Sequence, residues 1–152
     1  MLEETLQICL QMWSDNDGPY EGKHFQLAET ICQPQPVRRP PIPLGGEGEK
    51  KTLRLVAQYA DAWHSSTPLD GLPHKLDVLR GHCDAAGRDF SEIRLTTAYL
   101  DDPFADVDAY LRVLDRYSEL GVDLITTAPM PGNPDPQGWV ERLGDEVISR
   151  LH

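Results

Sequence analysis

This sequence lacks the usual marks of disulfide, metal and membrane chemistry. It has 3 cysteines, Cys9, Cys32 and Cys83. Their odd number and the absence of any Cys-x-x-Cys exclude a disulfide framework and a thiolate zinc site. The histidines are His24, His64, His74, His82 and His152, and none pairs at metal-ligand spacing, so no metal is expected. No G-x-S-x-G elbow surrounds Ser65, Ser66 or Thr67, which read as loop caps rather than nucleophiles. Asp101, Asp102, Asp106 and Asp108 read as turn and cap residues, and no catalytic residue can be assigned from the sequence. No apolar run approaches the ~18 residues of a membrane span, and the first residues do not read as a signal peptide. A reducing cytoplasm is the expected setting.

Basic charge is also scarce. The 152 residues carry 14 Lys/Arg against 25 Asp/Glu, a net charge of −11. Such a chain is not expected to bind nucleic acid or an anionic membrane as a whole. Hydrophobic content is 39%, a little low for a compact globule, yet the length allows one domain with a real core. The charge is uneven. Residues 61–152 hold 8 Lys/Arg against 17 Asp/Glu, whereas Arg38, Arg39, Lys50, Lys51 and Arg54 face only Glu47 and Glu49 across residues 33–60.

That basic island surrounds the most informative stretch, Pro40 to Leu53. A short apolar run ends in Gly45, Gly46, Glu47 and Gly48, and a helix pattern follows. Glycines permit a tight turn and close backbone approach, and a helix start offers unpaired N–H donors. The turn is either an ordinary strand-to-helix connection or an anion site. As an anion site, the backbone of Gly45, Gly46, Glu47 and Gly48 would donate, with Thr52 and Lys50 or Lys51 adding side-chain contacts.

Taken in order, the periodicity predicts a helix over 2–13, with Leu2, Leu6, Cys9, Leu10 and Trp13 on one face. A turn at 14–18 and a small hairpin over 19–32 follow, with Glu21, Gly22 and Lys23 at its tip. Five prolines within 34–43 make an extended run. Strands are expected at 42–45, 61–64, 93–100 and 122–127. Helices are expected at 47–60, 73–86, 106–120 and 139–151, the last burying Val140, Leu143, Val147 and Leu151. Gly87 and Gly121 stand where helices end. Strict alternation of strand and helix means a parallel sheet with helical crossovers. Four βα units fit either a small open sheet or half of a (β/α)8 barrel, which takes about 250 residues when whole. Trp63 and His64 end the second strand, where ligands sit in parallel α/β domains. They would face a flat ring there, or serve as a core tryptophan beside a surface histidine. Thr126 and Thr127 end the last strand, with a structural role or a ligand contact as the two readings.

One ordered series of residues carries a family resemblance. It runs through Leu2-Glu3-Glu4-Thr5-Leu6, Tyr20-Glu21-Gly22-Lys23-His24-Phe25, Arg39-Pro40-Pro41-Ile42 and Gly45-Gly46-Glu47-Gly48-Glu49-Lys50-Lys51-Thr52-Leu53. Tyr59-Ala60-Asp61-Ala62-Trp63, Lys75-Leu76-Asp77-Val78-Leu79, His82-Cys83 and Ala86-Gly87-Arg88-Asp89 continue it. The chain resembles the luciferase-like monooxygenase superfamily, closest to the branch that uses the deazaflavin coenzyme F420. The match is good over 2–100 and looser beyond.

The resemblance implies the C-terminal half of a (β/α)8 TIM barrel, an α/β fold preceded by a helix and a small hairpin. It implies one domain over 1–152, with a hairpin and proline-rich insertion at 14–41 and βα units over 42–152. It further implies an oxidoreductase or monooxygenase using F420, with FMN as the alternative cofactor and a small-molecule substrate. The Gly45–Gly48 turn would contact the cofactor phosphate, and Trp63 and His64 would lie near the ring or substrate. A non-catalytic half-barrel with an assembly or anion-binding role is the competing expectation. Two departures stand out. Pro43 replaces a large apolar strand residue and cannot donate to a ladder, so its strand belongs at a sheet edge. His64 stands where many members have Asn.

Members are about twice as long, like other barrels of this type. A truncated chain, a misread gene start and a true half-size protein are the three expectations. A lone half-barrel exposes two sheet edges and an inner face. A homodimer or higher homo-oligomer is therefore expected. Light scattering after size exclusion tests this, and a stable monomer with a two-state melt would refute it.

Overall fold

The computed structural model describes residues 1–151. It divides into two compact units, Met1–Ile42 and Pro43–His152.

The first unit opens with helix α1, Leu2–Met12, whose first turn carries Glu3 and Glu4. Acidic side chains suit the positive end of a helix dipole. Strands β1 (Tyr20–Glu21) and β2 (Gln26–Leu27) pair antiparallel, Tyr20 opposite Leu27. The hairpin expected over 19–32 is paired only over these four residues. The N–H groups of His24 and Phe25 donate instead to Glu4 Oε2, at 2.8 and 3.0 Å, and so leave the ladder. Desolvation raises the Glu4 pKa, but these two donors outweigh it and hold the carboxyl below its ordinary value. Thr30, 2% exposed, bonds Gln11 Nε2 and the carbonyls of Asn16 and Gly18. Buried polar groups need such partners.

The second unit holds a four-stranded parallel sheet in the order β3 (Pro43–Gly45), β4 (Ala62–Ser65), β5 (Arg94–Tyr99), β6 (Leu124–Thr127). Spatial order equals sequence order. Right-handed crossovers then place every connecting helix on one face. The helices are α2 (Thr52–Tyr59), α3 (Leu72–Ala86), α4 (Val107–Glu119) and α5 (Pro136–Glu146). Pro43 lies on edge strand β3, where a missing N–H costs least.

The register separates the two faces of the sheet. Leu44, Trp63 and Leu95 stand level and are 9%, 1% and 4% exposed, so this face lies under the helices. Gly45, His64, Thr96 and Leu124 form the next level and point the other way. Leu124 there is 43% exposed, so this face is open. Leu53, Val56 and Ala57 of α2 and Leu72, Leu76, Leu79 and Cys83 of α3 complete the core.

Helix ends follow the local chemistry. Gly87 takes φ 66° to end α3, a left-handed turn that glycine enters without penalty. Asp106 accepts from the Ala109 N–H to start α4. Three expectations shift. α2 begins at Thr52 rather than 47, because residues 47–51 form a held turn. α5 begins earlier than 139, because Asp135 caps the Gly138 N–H and Pro136 supplies a ready first turn. It also ends at Glu146, with a short 3₁₀ turn at Ile148–Arg150. Val147 is 1% exposed as expected, but Val140 and Leu151 are 59% and 45% exposed and do not join the core. On α4 the buried residues are Tyr110 and Tyr117, two turns apart, with Leu111 and Leu114 only half-buried.

Leu79 is fully buried on α3, the helix that packs against α2. Leu79→Ala is expected to cost about 2–5 kcal/mol of unfolding free energy. Denaturant titration measures this, and a loss under about 1 kcal/mol would show a site that collapses around the deletion.

Candidate anion and cofactor site

The sequence-predicted site residues gather at the C-terminal ends of β3 and β4. Gly45 closes β3, and His64 is its parallel neighbour on β4. The Gly46 N–H reaches the His64 carbonyl at 3.4 Å, which carries the ladder one residue into the turn. Gly46 has φ +121°, a conformation side chains rarely adopt. Thr52 packs beneath the turn. A Cβ on Gly48 would lie 2.8 Å from Thr52 Oγ1, and one on Gly46 would lie 3.3 Å from Thr52 Cγ2. Gly48 is required by this close approach and Gly46 by its backbone conformation.

The turn's carbonyls are held one after another. Trp63 Nε1 donates to Gly46 O at 3.0 Å. Lys75 Nζ donates to Glu47 O at 3.1 Å. The Leu53 N–H donates to Gly48 O at 3.0 Å. His82 Nε2 meets Glu49 O at 2.7 Å. Carbonyl oxygens only accept, so His82 carries its proton on Nε2. In a planar trans peptide the C=O and the next N–H point in opposite directions. The N–H groups of Glu47, Gly48, Glu49 and Lys50 thus point away from the groups that hold the turn. Among the described residues, none of the four finds a protein acceptor. Successive free N–H groups in a turn can bind an anion where they converge.

The charges are sorted to match. The Glu47 carboxylate is turned back onto the loop after β4. It accepts from the Ser66 N–H at 2.6 Å, from Ser65 Oγ at 3.2 Å and from Thr67 Oγ1. Lys50 and Lys51 are exposed, and among the described residues neither pairs with a carboxylate. Glu49 is engaged by Lys75 Nζ at 2.6 Å and His74 Nε2 at 3.1 Å. The hydrogen bond from Lys75 is the largest influence and holds the Glu49 carboxyl below its ordinary value.

His64 and Trp63 point to opposite faces of β4. Trp63 is buried, 1% exposed, with its indole N–H directed to the turn. His64 lies on the open face, with Nδ1 3.0 Å from Thr96 Oγ1. Thr96 Oγ1 also donates to Trp63 O at 3.2 Å. A hydroxyl has one proton to give, so both bonds form together only when His64 donates from Nδ1. In the tautomer with its proton on Nδ1, the ring offers Nε2 as an acceptor on the open face. Thr126, on the same face, donates to Thr97 O at 3.3 Å.

Lys75, His82 and the Ser65–Thr67 donors were not assigned to the site by sequence reasoning. One signal was available for the first two. They stand seven apart on α3, two helical turns, and so share a face. The same spacing logic that excluded His74 and His82 as a metal pair leaves His82 free for a carbonyl.

Known proteins resemble this chain in sequence and in fold. A sequence model of the luciferase-like monooxygenase family matches residues 1–118. The chain belongs to that family. An uncharacterized protein of Mycobacterium tuberculosis (strain ATCC 25618 / H37Rv) is 29% identical over 150 residues, 97% of this chain and 50% of the relative. The pyrimidine monooxygenase RutA of Acinetobacter baylyi is 28% identical over 95 residues, covering 58% of this chain and 25% of the relative. Among solved structures, an F420-dependent secondary alcohol dehydrogenase superposes with a TM-score of 0.81 at 14% identity, over 100% of this chain and 62% of that one. The coenzyme F420 dependent tetrahydromethanopterin reductase from Methanopyrus kandleri gives 0.78 at 14% identity, over 99% and 63%. These likenesses define the fold: the four βα units are half of a (β/α)8 barrel. The chain spans about half the length of the mycobacterial relative. No helix among the described residues is long and apolar enough to cross a membrane.

The Glu49 contacts predict a pH response. A lowered folded pKa contributes stability that is full above the ordinary value of 4.5 and lost as pH falls through the lower folded value. A carboxyl ¹³C titration should find the Glu49 midpoint below 4.5, and Lys75→Met should move it back up. An unmoved midpoint would show that Lys75 does not engage this carboxylate.

Proposed function

We propose that the chain is the cofactor-phosphate half of a luciferase-like oxidoreductase that uses the deazaflavin F420. The observation that carries this reading is the run of four N–H groups, Glu47 to Lys50, without protein acceptors beside two unpaired lysines. An otherwise acidic protein thereby presents a cationic, donor-rich turn, and a cofactor phosphate fits it. The carboxylates of Glu47 and Glu49 are both turned to protein donors, which lessens their opposition to an anion.

When bound, the cofactor supplies hydride-transfer chemistry. The chain's residues orient it. The turn holds the phosphate, and Thr52 keeps Gly46 and Gly48 in their close-packed geometry. His64 Nε2 stands on the open face to accept a hydrogen bond from the ring or from a small-molecule substrate. Two of the superposing structures are F420-dependent enzymes, which supports the choice of deazaflavin, as do Lys50 and Lys51 as partners for an acidic cofactor tail. FMN is the second reading, supported by a riboflavin lyase structure holding modified FMN, which superposes with a TM-score of 0.57 over 76% of this chain.

The test is the absorbance spectrum of the purified protein, followed by titration with F420 and with FMN. F420 is expected to bind more tightly than millimolar. Binding of FMN alone would overturn the deazaflavin assignment. Failure of both would leave a non-catalytic half-barrel and overturn the enzyme reading for this chain.

A further inference from the structure

We propose that Lys75 and His82 are positioning residues that aim the turn's N–H groups at the cofactor phosphate. The proposal rests on the reading that this turn takes the phosphate, and it assigns the work of preorganisation to α3. Neither side chain needs to touch the ligand. Each acts through a peptide unit.

Lys75 Nζ holds Glu47 O at 3.1 Å and is itself fixed by Glu49 Oε1 at 2.6 Å. Its side chain is 19% exposed, so the contact is partly shielded from water. Holding Glu47 O sets the direction of the Gly48 N–H, because the two bonds share one planar peptide unit. His82 Nε2 holds Glu49 O at 2.7 Å and in the same way sets the Lys50 N–H. The remaining two carbonyls, on Gly46 and Gly48, are held by Trp63 and Leu53. Half of the turn's orientation therefore comes from α3.

The need for such clamps follows from composition. A turn built on Gly46 and Gly48 is free to rotate its peptide units. A rotated unit would present a carbonyl oxygen where an anion must sit, and repulsion would replace attraction. Donors fixed before binding cost no reorganisation when the ligand arrives. The Lys75 charge adds to Lys50 and Lys51 from behind the turn, though Glu49 offsets part of it.

The test compares each cofactor with its own phosphate-free chromophore: FMN with riboflavin, and F420 with its deazariboflavin core. The wild type is expected to bind the phosphate-bearing form more tightly. Lys75→Met and His82→Leu should each lower that preference by about tenfold, the effect of one well-placed hydrogen bond to a charged group. Lys75→Arg and His82→Gln retain an N–H donor and should restore most of it. A purely structural role would weaken both forms together and leave the preference unchanged, which would overturn the proposal. A wild type that does not distinguish the phosphate-bearing form would instead overturn the phosphate reading itself, before any variant is made. Should His82→Leu fail to fold, the contrast between Lys75→Met and Lys75→Arg decides the same question.

Discussion

The bond from the Trp63 indole to the Gly46 carbonyl ties the sheet's core to its most mobile kind of sequence. Trp63 is 1% exposed and locked by packing, so its N–H is a fixed point. A glycine turn attached to a fixed point ceases to be a free loop. The Gly46 N–H returns to the His64 carbonyl, and the turn is held from both sides of one peptide pair. The Thr52 contact and the bonds from Lys75 and His82 extend that anchoring along the rest of the turn.

Charge follows the same plan. The protein is acidic overall, yet the turn faces outward with donors and lysines. Two acidic residues sit within it, Glu47 and Glu49, and both carboxylates are turned to protein donors. Their side chains brace the turn while their backbone keeps N–H groups free. One short segment thus contributes structure through its side chains and binding capacity through its main chain.

The sheet was legible in the sequence because strands of a parallel sheet announce themselves. Short apolar or β-branched runs such as Leu95-Thr96-Thr97 alternate with helical stripes such as Leu72, Leu76, Leu79 and Cys83. Pro43 announced an edge by its missing N–H. The site's backbone was legible too, since Gly45 to Gly48 can do little else than turn. The side chains that complete it were not. Lys75 and His82 look like surface residues of a helix, and only the packing of α2 against α3 brings them to Glu47 and Glu49. Of the two readings of Trp63 and His64, the core tryptophan beside a surface histidine is the one that holds, because adjacent strand residues face opposite sides of a sheet. The hairpin lost its predicted length because Glu4, some twenty residues away, took two of its N–H groups.

By itself, then, the sequence determined the element order, the parallel sheet, the edge position of β3 and the place of the glycine turn. These rest on local periodicity and on the backbone limits of glycine and proline, which act wherever the residues stand. The tertiary structure alone decided which face of β4 is buried, where the Glu47 carboxylate goes and which side chains hold the turn's carbonyls. Those outcomes depend on groups far apart in the chain, and distance in sequence carries no signal of a hydrogen bond that closes only after the helices have packed.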